Sequence, residues 1–350
     1  MTSGTPTGFE MQDAAKERLH ESLRRDLGGV VLGALNDPKV IEVMLNPDGR
    51  VWIEDFTKGM VDSGYQMPGS QALKLFATIA SMLNTVVNAA SPILEGELPL
   101  DGSRFEGLIA PVVGRPVFAI RKKAEIVYTL EKYRDDGILT DKMDPLNRRI
   151  RRADDFVTRV KGMSHYEILQ LAIIERKNIL VVGGTGSGKT TFVNAVIDGI
   201  ARVTPAHRIV LIEDTGEIQC NAKNYVQLRA CRHVDMQQLL KATMRLRPDR
   251  ILVGEVRGGE ALALLKAWNT GHPGGVATVH ANDAEAGLVR VDQLIQEAGV
   301  PSNPQLIAEA VDVVVFIDKE MEVKAGRKIK EVMLVERYDP EQKRYIVNRV

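Results

Sequence analysis

Short apolar runs alternate with amphipathic stretches along the second half of the chain. A short apolar run predicts a buried strand, and apolar residues spaced three or four apart predict one face of a helix. Strands and helices that alternate in this way are typical of a mostly parallel sheet wrapped by helices. The pattern predicts strands at 178–182, 208–213, 250–254, 276–280 and 311–317, and helices at 165–176, 190–201, 235–246, 259–268 and 283–298, with Asp235 and either Asn282 or Asp283 as helix N-caps.

The first half of the chain follows a different order of elements. Two apolar runs flank a Pro-Asp-Gly turn, which is typical of a hairpin. In this half we predict a helix at 11–27, hairpin strands at 41–46 and 50–54, a helix at 70–88 and paired strands within 105–121. A second hairpin, at 328–338 and 344–347, is predicted near the end of the chain. The first half is therefore predicted to form a smaller α+β unit.

Charged residues crowd together between the two patterns, where apolar periodicity fades. We interpret residues 133–162 as a linker between an N-terminal domain at 1–132 and a C-terminal domain at 163–350. Its arginines are interpreted as a solvated segment, with contact to phosphates or lipid headgroups as the alternative; these are Arg148, Arg149, Arg151 and Arg152.

Composition narrows the classes of function. Lys+Arg and Asp+Glu are both 46, so the zero formal net charge argues against a protein that mainly coats nucleic acid. No run approaches the roughly 18 apolar residues of a membrane span, and the first residues lack the apolar core of a signal peptide. The two cysteines have no metal-site spacing, which favours a reducing compartment. We expect a cytoplasmic protein with at most peripheral membrane contact.

A glycine-rich segment carries the strongest chemical signal. Residues 183–191 are GGTGSGKTT, which fits the phosphate-loop pattern G-x-x-x-x-G-K-[ST]. An apolar strand precedes it and a helix follows it, so backbone N–H groups and a helix N-terminus would face an anion. A dinucleotide fingerprint fits worse, because Lys189 occupies its third glycine position.

This loop predicts a site for ATP and Mg²⁺. The Lys189 ammonium should reach the β- and γ-phosphates, and the Thr190 hydroxyl should ligate the metal. The predicted nucleotide-binding residues are Gly184, Thr185, Gly186, Ser187, Gly188, Lys189, Thr190 and Thr191.

Two glutamates stand at the ends of apolar strands. Glu213 ends the strand in RIVLIEDTGE, and Glu255 follows RILVG. Ligands of open α/β sheets bind outside the carboxyl ends of the strands. Either glutamate could orient the attacking water or hold a metal-bound water, and the sequence does not separate these roles.

Two histidines follow in TGHPGGVATVH. Their eight-residue spacing within His272–His280 does not suit metal chelation within one element. His280 ends another predicted strand, so we expect it near the γ-phosphate, whereas the same role is weaker for His272.

Four segments together resemble the nucleotide-site boxes of the type II/IV secretion ATPase superfamily: GGTGSGKTT, RIVLIEDTGEI, LRPDRILVGEVRG and TGHPGGVATVHAND. Within it, the longer segment around the last two is most similar to conjugal transfer ATPases of the TrbB type. The resemblance implies a RecA-like P-loop NTPase domain behind the N-terminal α+β domain. It also implies a homohexameric ring that docks on inner-membrane proteins of a secretion or conjugation machine, and no sequence-specific binding of nucleic acid.

Arginines of the N-terminal domain reach the phosphates in that superfamily. Arg104, Arg115 and Arg121 match the positions concerned, and Arg104 and Arg121 are the preferred pair. Arg229 and Arg257 of the C-terminal half could act in the same way, including across a subunit boundary. A guanidinium beside the γ-phosphate stabilises charge in the transition state.

The predicted function is therefore ATP hydrolysis that powers a type IV secretion or conjugation apparatus, with a hinge at the linker. The alternatives are a type IV pilus or type II secretion ATPase, a RecA-like nucleic-acid motor, and a non-hydrolysing nucleotide switch. A nucleic-acid motor would need a basic, aromatic-lined channel, and aromatic residues are only 5% of the chain.

Overall fold

An antiparallel sheet of six strands organises the N-terminal part of the computed structural model, which describes residues 8–123, 129–139 and 156–350, with side chains from residue 16. Its strand order is β3-β2-β1-β6-β5-β4. The elements are α1 (Gly8–Asn36), β1 (Val40–Leu45), β2 (Arg50–Asp55), β3 (Gly59–Gln66), α2 (Gly69–Met82), β4 (Ile93–Glu97), β5 (Arg104–Leu108) and β6 (Val117–Arg121).

A sheet of eight strands organises the C-terminal part, in the order β14-β13-β12-β7-β11-β10-β8-β9. The six strands from β12 to β9 are parallel, and β13 and β14 extend the sheet as an antiparallel hairpin. The elements are α3 (Leu130–Asp135), α4 (Phe156–Arg159), α5 (His165–Ile174), β7 (Ile179–Val182), α6 (Lys189–Val203), β8 (Ile209–Glu213), β9 (Tyr225–Arg229), α7 (Met236–Thr243), β10 (Arg250–Val253), α8 (Glu260–Asn269), β11 (Val276–Val279), α9 (Ala284–Glu297), α10 (Pro304–Ala310), β12 (Val313–Lys319), β13 (Arg327–Asp339) and β14 (Arg344–Arg349).

Side-chain alternation divides each sheet between two cores. In β7, Leu180 and Val182 pack toward α7, α8 and α9, whereas Ile179 and Val181 pack toward α5 and α6. Helices α1 and α2 pack against one face of the N-terminal sheet. Its other face joins the core of the C-terminal sheet, where Trp52 packs. One continuous apolar cluster thus spans both sheets.

The predicted fold class is confirmed. A mostly parallel, helix-covered sheet carries the P-loop, and a smaller α+β unit precedes it. Asp235 and Asp283 cap α7 and α9 as predicted, each accepting a hydrogen bond from a backbone N–H three residues on.

Six elements were not predicted, two of which are the short helices α3 and α4 at the ends of the predicted linker. Polar or glycine-rich sequence hides β3 and β4, the two edge strands of the N-terminal sheet, and β9 and α10 are short. The first helix is longer than predicted and contains a kink at Gly28, whose φ is +76°.

The predicted linker is described only at its ends. Phe156 and Val160 are buried in the core beneath the C-terminal sheet, and the four arginines at 148–152 lie outside the described residues. The proposed boundaries at 132 and 163 stay a prediction. Within the described ranges, the helices lack the combination of length and apolar character that crossing a bilayer requires.

Candidate nucleotide site

The glycine-rich loop connects β7 to α6 at the carboxyl edge of the parallel sheet. Gly186 and Gly188 have φ values of +71° and +101°, a backbone conformation that glycine adopts without strain. These turns bring the start of α6 onto the loop, so its free N–H groups are available to an anion. The predicted strand, loop and helix are therefore all present.

Close packing fixes the loop against β12. A β-carbon on Gly183 would lie 2.3 Å from the Ile317 carbonyl oxygen and 2.6 Å from the Ser187 hydroxyl oxygen. That hydroxyl is buried and makes no hydrogen bond with the described residues. Only glycine at position 183 lets the loop pass this close to the neighbouring strand.

Lys189 is buried inside the loop it follows. Its ammonium donates hydrogen bonds to the carbonyl oxygens of Gly183, at 2.8 Å, and Gly184, at 2.9 Å. Burial lowers the pKa of Lys189, and the nearby Glu255 charge opposes that shift. The ammonium is thus already held where a phosphate bound in the loop would meet it.

Two strand ends beside β7 bring Glu255 and His280 to the ammonium. His280 follows β11, the strand next to β7, and Glu255 follows β10, one strand farther. The His280 Nε2 atom lies 2.8 Å from a Glu255 carboxylate oxygen, and its Nδ1 atom lies 3.4 Å from Lys189 Nζ. A polar chain therefore joins the P-loop lysine to this glutamate.

Arg257 extends the chain along the same edge. Its guanidinium donates to Glu255 at 2.6 Å and also pairs with Asp214. These two carboxylates raise the pKa of Arg257, beginning with the hydrogen bond to Glu255. Arg257 is therefore at the candidate site, but its charge is already paired within the subunit.

Glu213 lies in a different environment from Glu255. It is buried, and its carboxylate accepts hydrogen bonds from the backbone N–H groups of Glu217 and Ile218, at 3.0 and 2.9 Å, and from the Gln227 amide at 2.6 Å. These bonds hold the loop after β8. Glu213 also lies three strands from β7 in the sheet.

Thr190 is the candidate metal ligand. Its hydroxyl lies 3.3 Å from a Glu217 carboxylate oxygen at the mouth of the loop. In the described part of the chain, no cluster of three or more His, Cys, Asp or Glu side chains could hold a metal by itself. A hydroxyl beside exposed carboxylates suits Mg²⁺, which takes few protein ligands and completes its coordination with phosphate and water.

Arg104 and Arg121 belong to the N-terminal sheet and lie beside the amino edge of the parallel sheet, opposite the P-loop. They sit side by side on β5 and β6 and line a cavity of about 720 Å³ with Arg245, Arg247 and His272. The last three residues precede β10 and β11, so this cavity faces the amino edge of the parallel strands. The structure does not bring Arg104, Arg121 or His272 to the P-loop of the same chain.

Two buried carboxyl groups also line this cavity. Burial raises the pKa of Glu106 to about 8 and that of Glu42 to about 7, although Arg245 and Arg121 respectively oppose these shifts. The Glu106 oxygens accept no hydrogen bond from the described residues, and Arg245 approaches them only to 3.6 Å.

Arg115 and Arg229 lie elsewhere. Arg115 lines a separate small pocket formed with the turn after β1. Arg229 ends β9, where its guanidinium lies against Gly216 in the loop after β8. Neither side chain is placed at Lys189.

Two cations at the P-loop were missed by the sequence analysis. A β-carbon on Gly188 would lie 2.6 Å from Arg327 Cδ, and one on Gly186 would lie 3.7 Å from Lys319 Nζ. Lys319 ends β12 and Arg327 begins β13. The available signal was topological, because β12 is a parallel neighbour of β7 and so ends beside the P-loop.

Comparison with known proteins places this chain among secretion and conjugation proteins. Residues 160–324 match the family described as type II/IV secretion system protein. A probable conjugal transfer protein TrbB of Sinorhizobium fredii is 44% identical over 321 residues, covering 92% of this chain and 91% of that protein. The type IV secretion system protein VirB11 of Bartonella quintana is 29% identical, covering 75% and 78%.

A solved structure has the same architecture. The crystal structure of the VirB11 ATPase from the Brucella suis type IV secretion system, in complex with sulphate, superimposes with a TM-score of 0.79. It is 27% identical and covers 94% of this chain and 98% of that one.

Proposed function

This chain belongs to the type II/IV secretion ATPase family, and we propose that it hydrolyses MgATP to power a type IV secretion or conjugation apparatus. The observation that carries the proposal is the polar chain from Lys189 through His280 to Glu255 at the carboxyl edge of the sheet. It joins a phosphate-binding cation to a carboxylate near the position of the γ-phosphate.

The P-loop binds and orients the triphosphate. Backbone N–H groups of residues 184–191 hold phosphate oxygens, and the Lys189 ammonium exchanges its two carbonyl acceptors for β- and γ-phosphate oxygens. Thr190 would hold Mg²⁺, which neutralises charge on the phosphates when bound.

Glu255 is proposed to orient the attacking water. Its carboxylate is partly exposed and lies at the ammonium end of the loop, whereas the Glu213 oxygens are occupied by three donors. His280 positions Glu255 through its Nε2 contact and lies between that carboxylate and Lys189. A positioned polar side chain, glutamine or aspartate, orients the nucleophile in other phosphoryl-transfer enzymes.

A neighbouring subunit is proposed to complete the site. Arg104 and Arg121 are exposed and lie at the amino edge, where Lys189 of the same chain is out of reach. A head-to-tail ring joins unlike surfaces of neighbouring subunits, so the amino edge of one subunit would face the carboxyl edge of the next. The two guanidinium groups would then stabilise the transition state on the neighbour's nucleotide.

Membership of the family supports docking on a secretion machine. We propose a homohexamer in the cytoplasm, peripheral to the inner membrane, in which loss of the γ-phosphate changes the angle between domains 1–132 and 163–350 at the linker. The TrbB and VirB11 names of the relatives support conjugation or type IV secretion over pilus assembly.

Steady-state ATP turnover tests the proposal. Lys189→Ala removes the ammonium group of the P-loop itself, so kcat should fall by about 100-fold or more. Lys266→Ala, an exposed lysine on α8, is the matched control and should keep wild-type turnover. Turnover that survives Lys189→Ala would contradict the mechanism.

A further inference from the structure

The β12–β13 hairpin brings two cations onto the P-loop of its own subunit. The Arg327 Cδ and Nη1 atoms lie 2.6 and 2.7 Å from the position of a β-carbon on Gly188, and Lys319 lies over Gly186. These glycines are the two loop residues with positive φ, immediately before α6. The contact arises from strand order, because β12 is hydrogen-bonded to β7 on the side away from β11.

Neither cation has an anionic partner among the described residues. Arg327 and Lys319 make no ion pair there; of the two acidic residues beside Lys319, Glu320 is paired with Lys330, and Asp318 lies opposite Lys328 in the strand register. The two charges also join Lys189 at the N-terminus of a helix, which is the end that repels cations. Three cations in such a place need a multivalent anion to be favourable.

We propose that Arg327, assisted by Lys319, binds the α- and β-phosphates of the nucleotide held by the P-loop of the same subunit. This inference rests on the proposed function. The hairpin approaches the loop from the β12 side, whereas Glu255 and His280, to which the proposed function gives the γ-phosphate, approach from the β11 side. The geometry therefore assigns Arg327 to nucleotide binding and not to bond cleavage.

A contact to the α- and β-phosphates has a kinetic signature. It is made equally in the ground state and the transition state, so its loss raises KM and leaves kcat unchanged. The same contact is available to ADP, because ADP retains both phosphates. A residue that stabilises the departing γ-phosphoryl group would instead lower kcat and leave ADP affinity intact.

Binding of MgADP, followed with a fluorescent N-methylanthraniloyl analogue, tests the inference. Arg327→Ala should weaken binding by about tenfold or more, the usual effect of losing a charge-assisted hydrogen bond. Arg327→Lys should fall between, because it keeps the charge but loses the forked donor geometry. Lys328→Ala removes the next, exposed cation, which faces Asp318 across the hairpin, and should bind as wild type does.

Each outcome has one meaning. If the wild type binds MgADP and Arg327→Ala binds it equally well, or if Arg327→Ala lowers kcat at unchanged KM, the inference is wrong while the proposed function stands. If the wild type binds neither MgADP nor MgATP, the proposed function itself fails. Thermal unfolding of Arg327→Ala without nucleotide should match the wild type, since the side chain is exposed.

Discussion

At the scale of single residues, Glu213 and Glu255 show how surroundings separate two identical side chains. Both follow apolar strands of one sheet, and their sequence contexts gave them the same possible roles. In the fold, three donors saturate Glu213, while Glu255 contacts His280 and Arg257 at the ammonium end of the P-loop. We therefore expect one carboxylate to be structural and the other to be catalytic.

Substitution by glutamine should distinguish these roles. Glu255→Gln should lower kcat by about 100-fold or more without weakening MgADP binding, because the water loses its orienting carboxylate. Glu213→Gln should leave kcat within a few-fold but lower the free energy of unfolding by about 1–3 kcal/mol, because an amide donor would face the Gln227 amide. Turnover and urea unfolding measure the two effects; wild-type turnover in Glu255→Gln would show that Glu255 does not orient the attacking water.

At the scale of elements, the P-loop depends on β12 as much as on β7 and α6. Gly183 passes so close to β12 that a side chain there would meet the Ile317 carbonyl oxygen, whereas a side chain on Gly184 would meet nothing within 4 Å. The two glycines are neighbours in one motif, but only Gly183 is tightly packed against another part of the protein.

This difference predicts unequal effects of alanine. Gly183→Ala should lower the free energy of unfolding by about 1–3 kcal/mol, as overpacking does in other proteins. Gly184→Ala, the matched control, should change it by no more than about 0.5 kcal/mol. Urea unfolding without nucleotide measures both; equal stability of the two variants would mean that the loop is not fixed against β12.

The buried central strands were predictable from the sequence, whereas the edge strands and the contacts between distant surface residues were not. The apolar runs of β7, β8, β10, β11 and β12 identified the central strands, because both faces of these strands are buried. Edge strands β3 and β4 carry polar residues and gave no signal. The positions of Arg327 and Arg121 depend on strand order and on packing between sheets, which local patterns do not encode.

At the scale of the whole molecule, the two halves of the predicted active site lie near opposite ends of the parallel strands. Lys189 and Glu255 are at the carboxyl edge, and Arg104 and Arg121 are at the amino edge beside Arg247. The Arg247–Glu54 ion pair fixes the N-terminal sheet there, with Arg247 Nε 2.8 Å from a Glu54 oxygen. A single subunit therefore carries both parts without joining them.

Mixed oligomers should reveal the arrangement. Lys189→Ala and Arg121→Ala should each be inactive alone, but an equimolar mixture should recover up to about a quarter of wild-type turnover, because random neighbours form some complete sites. A mixture of Lys189→Ala with Glu255→Gln is the control and should stay inactive, since both residues belong to the same edge. Absence of recovery in the first mixture would show that the arginines do not act across subunits.

Protonation of the two buried glutamates changes the net charge of the amino-edge cavity. Five glutamates and four arginines line that wall, which suggests a surface with a slight negative excess. Because the pKa of Glu106 is about 8, this side chain carries a proton at neutral pH, and Glu42, at about 7, is half protonated. Proton uptake therefore cancels the excess, so that in the proposed ring a polyanion bound to the neighbouring subunit would approach this wall without repulsion.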